Sequence, residues 1–292
     1  MPGPRAEGVG HLPENLPRGV ILQCGGPHHR PDRVTMGDVK IIAHRGASGY
    51  RPELTLDAYE LAVEQRADGV ECDIRLTADG VPVVIHDATV DRTSDGTGTV
   101  AAMSLAQLRE FNVGTAERPQ RVLTLQELLG FIQDAQTSDY RPELFVETKR
   151  LGSAGERDGR LEAAMNRELH AAGLADGGPD GLVHLISFDH GSLARFSALN
   201  PKIHRIYLRK EYVLWRLLKH VEPMDVAPSQ GFSVYRARQA PQQVVGAGDR
   251  TYVFTANRRD DLLWLHRHGV RWAATDYPDH ARRVLDGAVR LP

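Results

Sequence analysis

Cysteine is nearly absent from this chain. Only Cys24 and Cys72 occur, which excludes a disulfide framework as the main stabiliser. No apolar run approaches the ~20 residues needed to cross a bilayer. The N-terminus also lacks the charged-then-apolar layout of a secretion signal, so the cytoplasm is the expected compartment. A formal net charge of −2 provides no basic field for nucleic acid. Neither G-x-G-x-x-G nor G-x-x-x-x-G-K-[ST] stands between a strand and a helix, which argues against a doubly wound nucleotide-binding sheet. What is present is ordinary for a globular protein able to bury a core: 292 residues, 41% hydrophobic and 25% charged.

Residues 1–38 stand apart. They are rich in Gly, Pro and Arg and show neither helical nor strand periodicity, so they read as a disordered leader. Met36 lies just before the first strand, as it would if the start had been assigned too far upstream. His28 and His29 within this segment are read as solvated. From residue 39 to 292 short apolar strands alternate with helical patterns. The strand candidates are 40–44, 69–74, 83–86, 144–147, 182–187, 202–207, 224–227, 250–254 and 270–275. Alternation of this kind predicts parallel pairing with crossover helices. About eight units over about 250 residues favour a single-domain α/β fold, a closed (β/α)8 TIM barrel. The strands around Ile74 and Val84 are joined by Thr77-Ala78-Asp79-Gly80, a tight-turn signal. That pair is expected to be a kink or hairpin, a small insertion after the second strand.

In such a barrel the active site forms at the C-terminal ends of the strands. The first strand delivers His44 and Arg45. The second carries Glu71 and Asp73, the next ends in His86 and Asp87, and the one after gives Glu147 and Lys149. Glu71 and Asp73 are two apart and so project to one face of the strand. An E-x-D step on a solvated face would carry no chemistry, but the flanking Val70 and Ile74 point to a strand buried on both sides. Two adjacent carboxylates repel unless a cation lies between them. With Glu147 as a third oxygen ligand and no cysteine cluster, the set suits a hard ion such as Mg²⁺ or Ca²⁺. A lone strand-end histidine is usually structural. Two of them, beside Arg45, Lys149 and a cation site, describe a pocket for an anion undergoing acid–base chemistry. The remaining histidines share no spacing and are assigned no role.

These residues fall in an ordered series. The stretch from Ala43 to Gly98, which opens His44-Arg45-Gly46 and includes Glu71-Cys72-Asp73 and His86-Asp87, resembles the N-terminal half of glycerophosphodiester phosphodiesterases. Leu144-Phe145-Val146-Glu147-Thr148-Lys149 resembles a later strand of that family, and 251–279 its closing strand–helix–strand. The similarity runs from about residue 39 to the C-terminus. It implies that His44 and His86 are the catalytic pair and that Glu71, Asp73 and Glu147 are metal ligands. It likewise implies that Arg45 and Lys149 contact phosphate. Leu54 replaces the Asn of a P-E-N-T segment, and Phe254 replaces a Trp before T-x-N.

The implied reaction is metal-dependent hydrolysis of a glycerophosphodiester to glycerol 3-phosphate and an alcohol. Mg²⁺ or Ca²⁺ is the expected ion, with Mn²⁺ also compatible. A small-molecule substrate is expected, and no nucleic-acid partner. The attacking group is either water or a neighbouring glycerol hydroxyl, and His86 is read as the acid of the pair. A lysophospholipase D-type activity is the alternative, suggested by the apolar face of Tyr212, Leu214, Trp215 and Leu218; a core-facing barrel helix explains the same pattern. A non-catalytic phosphodiester-binding member would require loss of a ligand or a histidine, and none is missing.

Overall fold

The computed structural model describes residues 39–149, 158–177, 181–209 and 227–289. The leader, Met36 and the stretch 210–220 that suggested the alternative activity lie outside these residues. Among the described residues, nine strands form one sheet. They are β1 (Lys40–Ala43), β2 (Gly69–Leu76), β3 (Pro82–Val84), β4 (Glu143–Thr148), β5 (Val183–Ser187), β6 (His204–Leu208), β7 (Ser229–Ser233), β8 (Thr251–Phe254) and β9 (Trp272–Thr275). The order is β1-β9-β8-β7-β6-β5-β4-β2-β3, and a β1–β2 pairing closes the circle. β3 pairs antiparallel with β2 and stands outside the ring, which leaves eight parallel strands. The expected barrel and the expected hairpin after the second strand are both present.

Alternation along each strand divides the core in two. On β2, Val70, Cys72 and Ile74 face outward into a large apolar layer shared with the helices. That layer includes Leu125, Leu128, Leu129 and Ile132 of the helix Leu125–Asp134, which present one stripe at helical spacing. This helix starts at a reciprocal cap in which the side chains of Thr124 and Glu127 satisfy each other's backbone N–H groups. Inside the barrel, Ile42, Phe145, Ile186, Ile206, Tyr252 and Trp272 form a plug, with Phe145 stacked on Tyr252 at 5.3 Å.

Below the plug, at the N-terminal ends of the strands, lies a buried polar layer. Trp272 Nε1 donates to Glu143 at 3.1 Å, His184 Nε2 bonds the same carboxylate oxygen at 2.9 Å, and Lys40 pairs with the other oxygen. His204 Nε2 bonds Ser229 Oγ at 2.8 Å. None of these groups was singled out in the sequence. Their place at the base of the barrel makes them part of its stability rather than its chemistry.

One strand was not expected. Of the expected strand 224–227, residues 224–226 lie outside the described residues and Ala227 is buried coil; the strand described next is Ser229–Ser233. Ser229, Gln230 and Gly231 look like turn residues in isolation. Here Ser229 bonds His204, and Gln230 accepts from Arg209 Nε at 3.0 Å, so the polar side chains have partners inside the fold. Two short helices, Val234–Gln239 and Pro241–Ala247, were likewise not anticipated. Between β3 and the Leu125–Asp134 helix the chain builds a satellite core of Val83, Ile85, Val90, Val100, Leu108, Val113 and Val122. Among the described residues no helix is long and apolar enough to cross a membrane.

Candidate active site

The seven residues singled out from the sequence all come to the C-terminal mouth of the barrel. β2 and β4 are in register with Asp73 opposite Glu147, and Glu71 lies one step below on the same inward face. One carboxylate oxygen from each of Glu71, Asp73 and Glu147 falls within a 4.8 Å cluster, and all three residues are buried. Burial first, and then the charges of Asp73 and Glu147, push the Glu71 carboxyl well above the usual range. Burial and the Asp73 charge raise Glu147 to about 7, against the pull of Lys149. Asp73 goes the other way. Burial opposes its ionisation, but the Lys149 and Arg45 cations outweigh that penalty and hold its carboxyl low.

The two cations are tied into this cluster. Lys149 Nζ lies 2.8 Å from Asp73 Oδ1 and 2.6 Å from Glu147 Oε1. Arg45 donates its backbone N–H to Glu71 at 3.0 Å and its Nη1 to Glu53 at 3.0 Å. Arg45 Nε is 3.2 Å from Asp73 Oδ2, an ion-pair contact without hydrogen-bond alignment, so that buried oxygen has no hydrogen-bond partner. With all three carboxylates ionised, their charge would exceed that of the two cations, which is what raises Glu71 and Glu147 beyond the effect of burial.

The His44-Arg45-Gly46 turn that aims these groups is conformationally demanding. Arg45 holds φ 59° and Gly46 φ 79°. A Cβ on Gly46 would lie 2.8 Å from the Ala58 backbone, so only glycine allows the helix Leu56–Glu64 to approach so closely. Leu54 also holds positive φ, at 63°. Asparagine enters that region more readily than leucine, so the departure at this position carries backbone strain.

Each histidine is backed by an aspartate. His44 Nδ1 lies 2.7 Å from Asp276 Oδ1, and Asp276 Oδ2 accepts from Asn257 Nδ2 at 2.6 Å. Ser48 Oγ donates to the His44 carbonyl and to Asp276. Burial opposes ionisation of Asp276, but His44, Asn257 and Ser48 together hold its carboxyl low. His86 Nδ1 lies 2.6 Å from Asp87 Oδ1, and Arg75 Nε fixes the His86 carbonyl at 2.8 Å. In both rings Nδ1 is committed to a carboxylate, which leaves Nε2 as the atom able to exchange a proton. Burial lowers the His86 pKa below the ordinary histidine value, with Asp73 pulling the other way.

Asp276, Asn257 and Arg92 were not assigned roles from the sequence. The criterion that found the others, a titratable residue at a strand end, applies equally to Asp276, the residue after β9. Asn257 and Arg92 lie on loops, where no such criterion reaches them.

Comparison with known proteins places the chain in a family. The family model for the glycerophosphoryl diester phosphodiesterase family matches residues 44–280. A Mycobacterium tuberculosis protein named probable glycerophosphodiester phosphodiesterase 1 is 35% identical over 273 residues, 87% of this chain and 95% of the relative. An Oleispira antarctica phosphodiesterase, whose structure holds the product sn-glycerol-3-phosphate, superposes with TM-score 0.70 at 26% identity, covering 85% of this chain and 97% of that one. A glycerophosphodiester phosphodiesterase from Agrobacterium tumefaciens, 24% identical, shares the fold with TM-score 0.67 over 85% of this chain and all of its own. With the matched segment spanning every strand-end group described above, the chain belongs to the glycerophosphoryl diester phosphodiesterase family of enzymes.

Proposed function

We propose that the enzyme hydrolyses glycerophosphodiesters to glycerol 3-phosphate and an alcohol, with His44 and His86 as an acid–base pair. The observation that carries this reading is the paired arrangement of two imidazoles, each with Nδ1 held by an aspartate and Nε2 left for proton transfer. The product bound in the Oleispira antarctica relative supports the choice of substrate class.

The buried carboxylates fit a hard divalent cation. The donors are all oxygen, they converge within 4.8 Å, and Asp73 Oδ2 lacks a hydrogen-bond partner. Glu71, Asp73 and Glu147 would hold Mg²⁺ or Ca²⁺, with Mn²⁺ as a further choice. When bound, the ion supplies positive charge for phosphate oxygens. Arg45 offers a planar fork of donors and Lys149 a point charge to the same phosphate, which neutralises charge that builds in the transition state.

His86, with its lowered pKa, is unprotonated near neutral pH and is suited to take the proton from the attacking hydroxyl or water. This reverses the preference drawn from sequence, where His86 was read as the acid. His44, its imidazolium supported by the Asp276 carboxylate, then gives its Nε2 proton to the departing alkoxide.

Turnover on glycerophosphocholine, glycerophosphoethanolamine and lysophosphatidylcholine, each with Mg²⁺, Mn²⁺ or Ca²⁺, tests the reading. Glycerol 3-phosphate release from the first two, lost on chelation, is the expected result. Turnover confined to the lysolipid would overturn the substrate class, and turnover unaffected by chelator would overturn the metal site.

A further inference from the structure

The two aspartates behind the histidines are not equivalent. Asp276 is held by Asn257 Nδ2 at 2.6 Å and Ser48 Oγ at 3.1 Å, both neutral donors that leave its negative charge facing His44. Asp87 is held by a cation: Arg92 Nε donates to its Oδ2 at 2.6 Å. The rest of that guanidinium forks onto Glu53, Nη1 to Oε2 at 2.9 Å and Nη2 to Oε1 at 2.7 Å. Glu53 Oε1 also accepts from Arg45. The chain His86–Asp87–Arg92–Glu53–Arg45 therefore runs unbroken from one histidine to the arginine of the phosphate site.

A carboxylate already paired with a guanidinium stabilises a neighbouring imidazolium less than a carboxylate held only by neutral donors. We propose that Arg92 is a positioning residue that keeps His86 unprotonated by neutralising the aspartate behind it, and so separates two similar histidines into a base and an acid. This rests on the reading of His86 as the base. The other charges acting on the His86 ring are Asp73, Lys149 and Arg45, while Arg75 holds its carbonyl. All four lie on the barrel; Arg92 alone among the named groups comes from the satellite core, two residues after the fully buried Val90. Backbone bonding of Val90 N–H to Gly98 O at 3.0 Å and of Gly98 N–H to Asp91 Oδ1 at 2.7 Å fixes the loop that carries it. In this reading the insertion between β3 and the Leu125–Asp134 helix serves to deliver one guanidinium to Asp87.

The test is an NMR titration of the His86 ring in the Mg²⁺-loaded protein, its signal assigned by its loss in His86→Ala. In Arg92→Met the His86 ionisation is expected to rise by about 0.5 unit or more, roughly a threefold change in constant, since Arg92 is half exposed and screened by solvent. The acid limb of kcat/KM should move to higher pH with it. Arg92→Lys, which keeps a cation beside Asp87, should restore the wild-type titration. In an Asp87→Asn background Arg92→Met should produce no further shift. A His86 titration that stays put in Arg92→Met, whatever happens to kcat, overturns the proposal. Near wild-type turnover in His86→Ala would instead overturn the role of His86, and the NMR shift distinguishes the two failures.

Discussion

Asp276 Oδ1 sits 2.7 Å from His44 Nδ1, although 232 residues separate them, because β9 and β1 are neighbours where the barrel closes. The first and last strands of the ring thus build one half of the proposed acid–base pair between them. Asp276→Asn should lower kcat by on the order of 10²–10⁴ with little change in KM, since an amide can present its NH2 to Nδ1 and favour the wrong tautomer. Steady-state kinetics decides this; an unchanged kcat would show that His44 needs no orienting carboxylate.

The leaving group separates the two histidines. His44→Ala and His86→Ala are each expected to cost kcat on the order of 10²–10⁴ on a natural diester. A p-nitrophenyl diester, whose leaving group needs little protonation, should rescue His44→Ala and not His86→Ala. The opposite pattern of rescue would restore His86 as the acid.

Cation affinity should depend on pH through the ligands themselves. Glu147 is raised to about 7 in the protein, and Glu71 is raised as well, so both protons must leave before the carboxylates can bind an ion. Affinity for Mg²⁺ measured by calorimetry should fall by about a hundredfold for each unit below both ionisations, with release of up to two protons on binding. Affinity that is flat between pH 5 and 7 would mean that these carboxylates are not the ligands.

Leu54 allows a direct reading of backbone strain. At ordinary φ a glycine is less stable than alanine by about 0.5–1 kcal/mol. At φ 63° the order should reverse, with Leu54→Gly more stable than Leu54→Ala by about 1 kcal/mol in urea denaturation. Both variants lose the same buried leucine contacts, so packing largely cancels from the comparison. Alanine proving the more stable would place the loop in a different conformation.

The polar layer at the base of the barrel should make the protein acid-sensitive. Burial, assisted by the neighbouring His184 charge, lowers His204 to about 4. The unfolded chain therefore takes up a proton below pH 6.5 that the folded one refuses, and stability falls as pH drops from 6.5 to 4. Glu143, whose hydrogen bond and ion pair with His184 overcome the burial penalty, is lowered to about 2 and extends the loss from pH 4.5 downward. Melting curves should show Tm falling by about 5–10 °C between pH 6.5 and 4. The upper part of that slope should weaken in His204→Asn; a wild-type Tm that is flat over this range would remove the argument.

The barrel, the hairpin after β2 and the convergence of Glu71, Asp73 and Glu147 were legible in the sequence, because these depend on local rules. Alternation on a strand puts Glu71 and Asp73 on one face and Cys72 on the other, and the structure follows it. Strand ends in a parallel barrel gather at one mouth, so His44, His86, Glu147 and Lys149 could be read one strand at a time. The strand Ser229–Ser233 escaped notice through the same locality: Ser229, Gln230 and Gly231 look unlike a strand until His204 and Arg209 supply their partners.

What stands behind His44 and His86 was settled by the tertiary structure alone. Barrel closure brings Asp276 to His44, and the satellite core brings Arg92 to Asp87 and Glu53. Those pairings depend on which distant segments meet, and no periodicity encodes them. The difference in surroundings between the two histidines arises at this level as well. His44 in His-Arg-Gly and His86 in His-Asp look alike in the chain, and folding places neutral donors on Asp276 behind the first and a guanidinium on Asp87 behind the second.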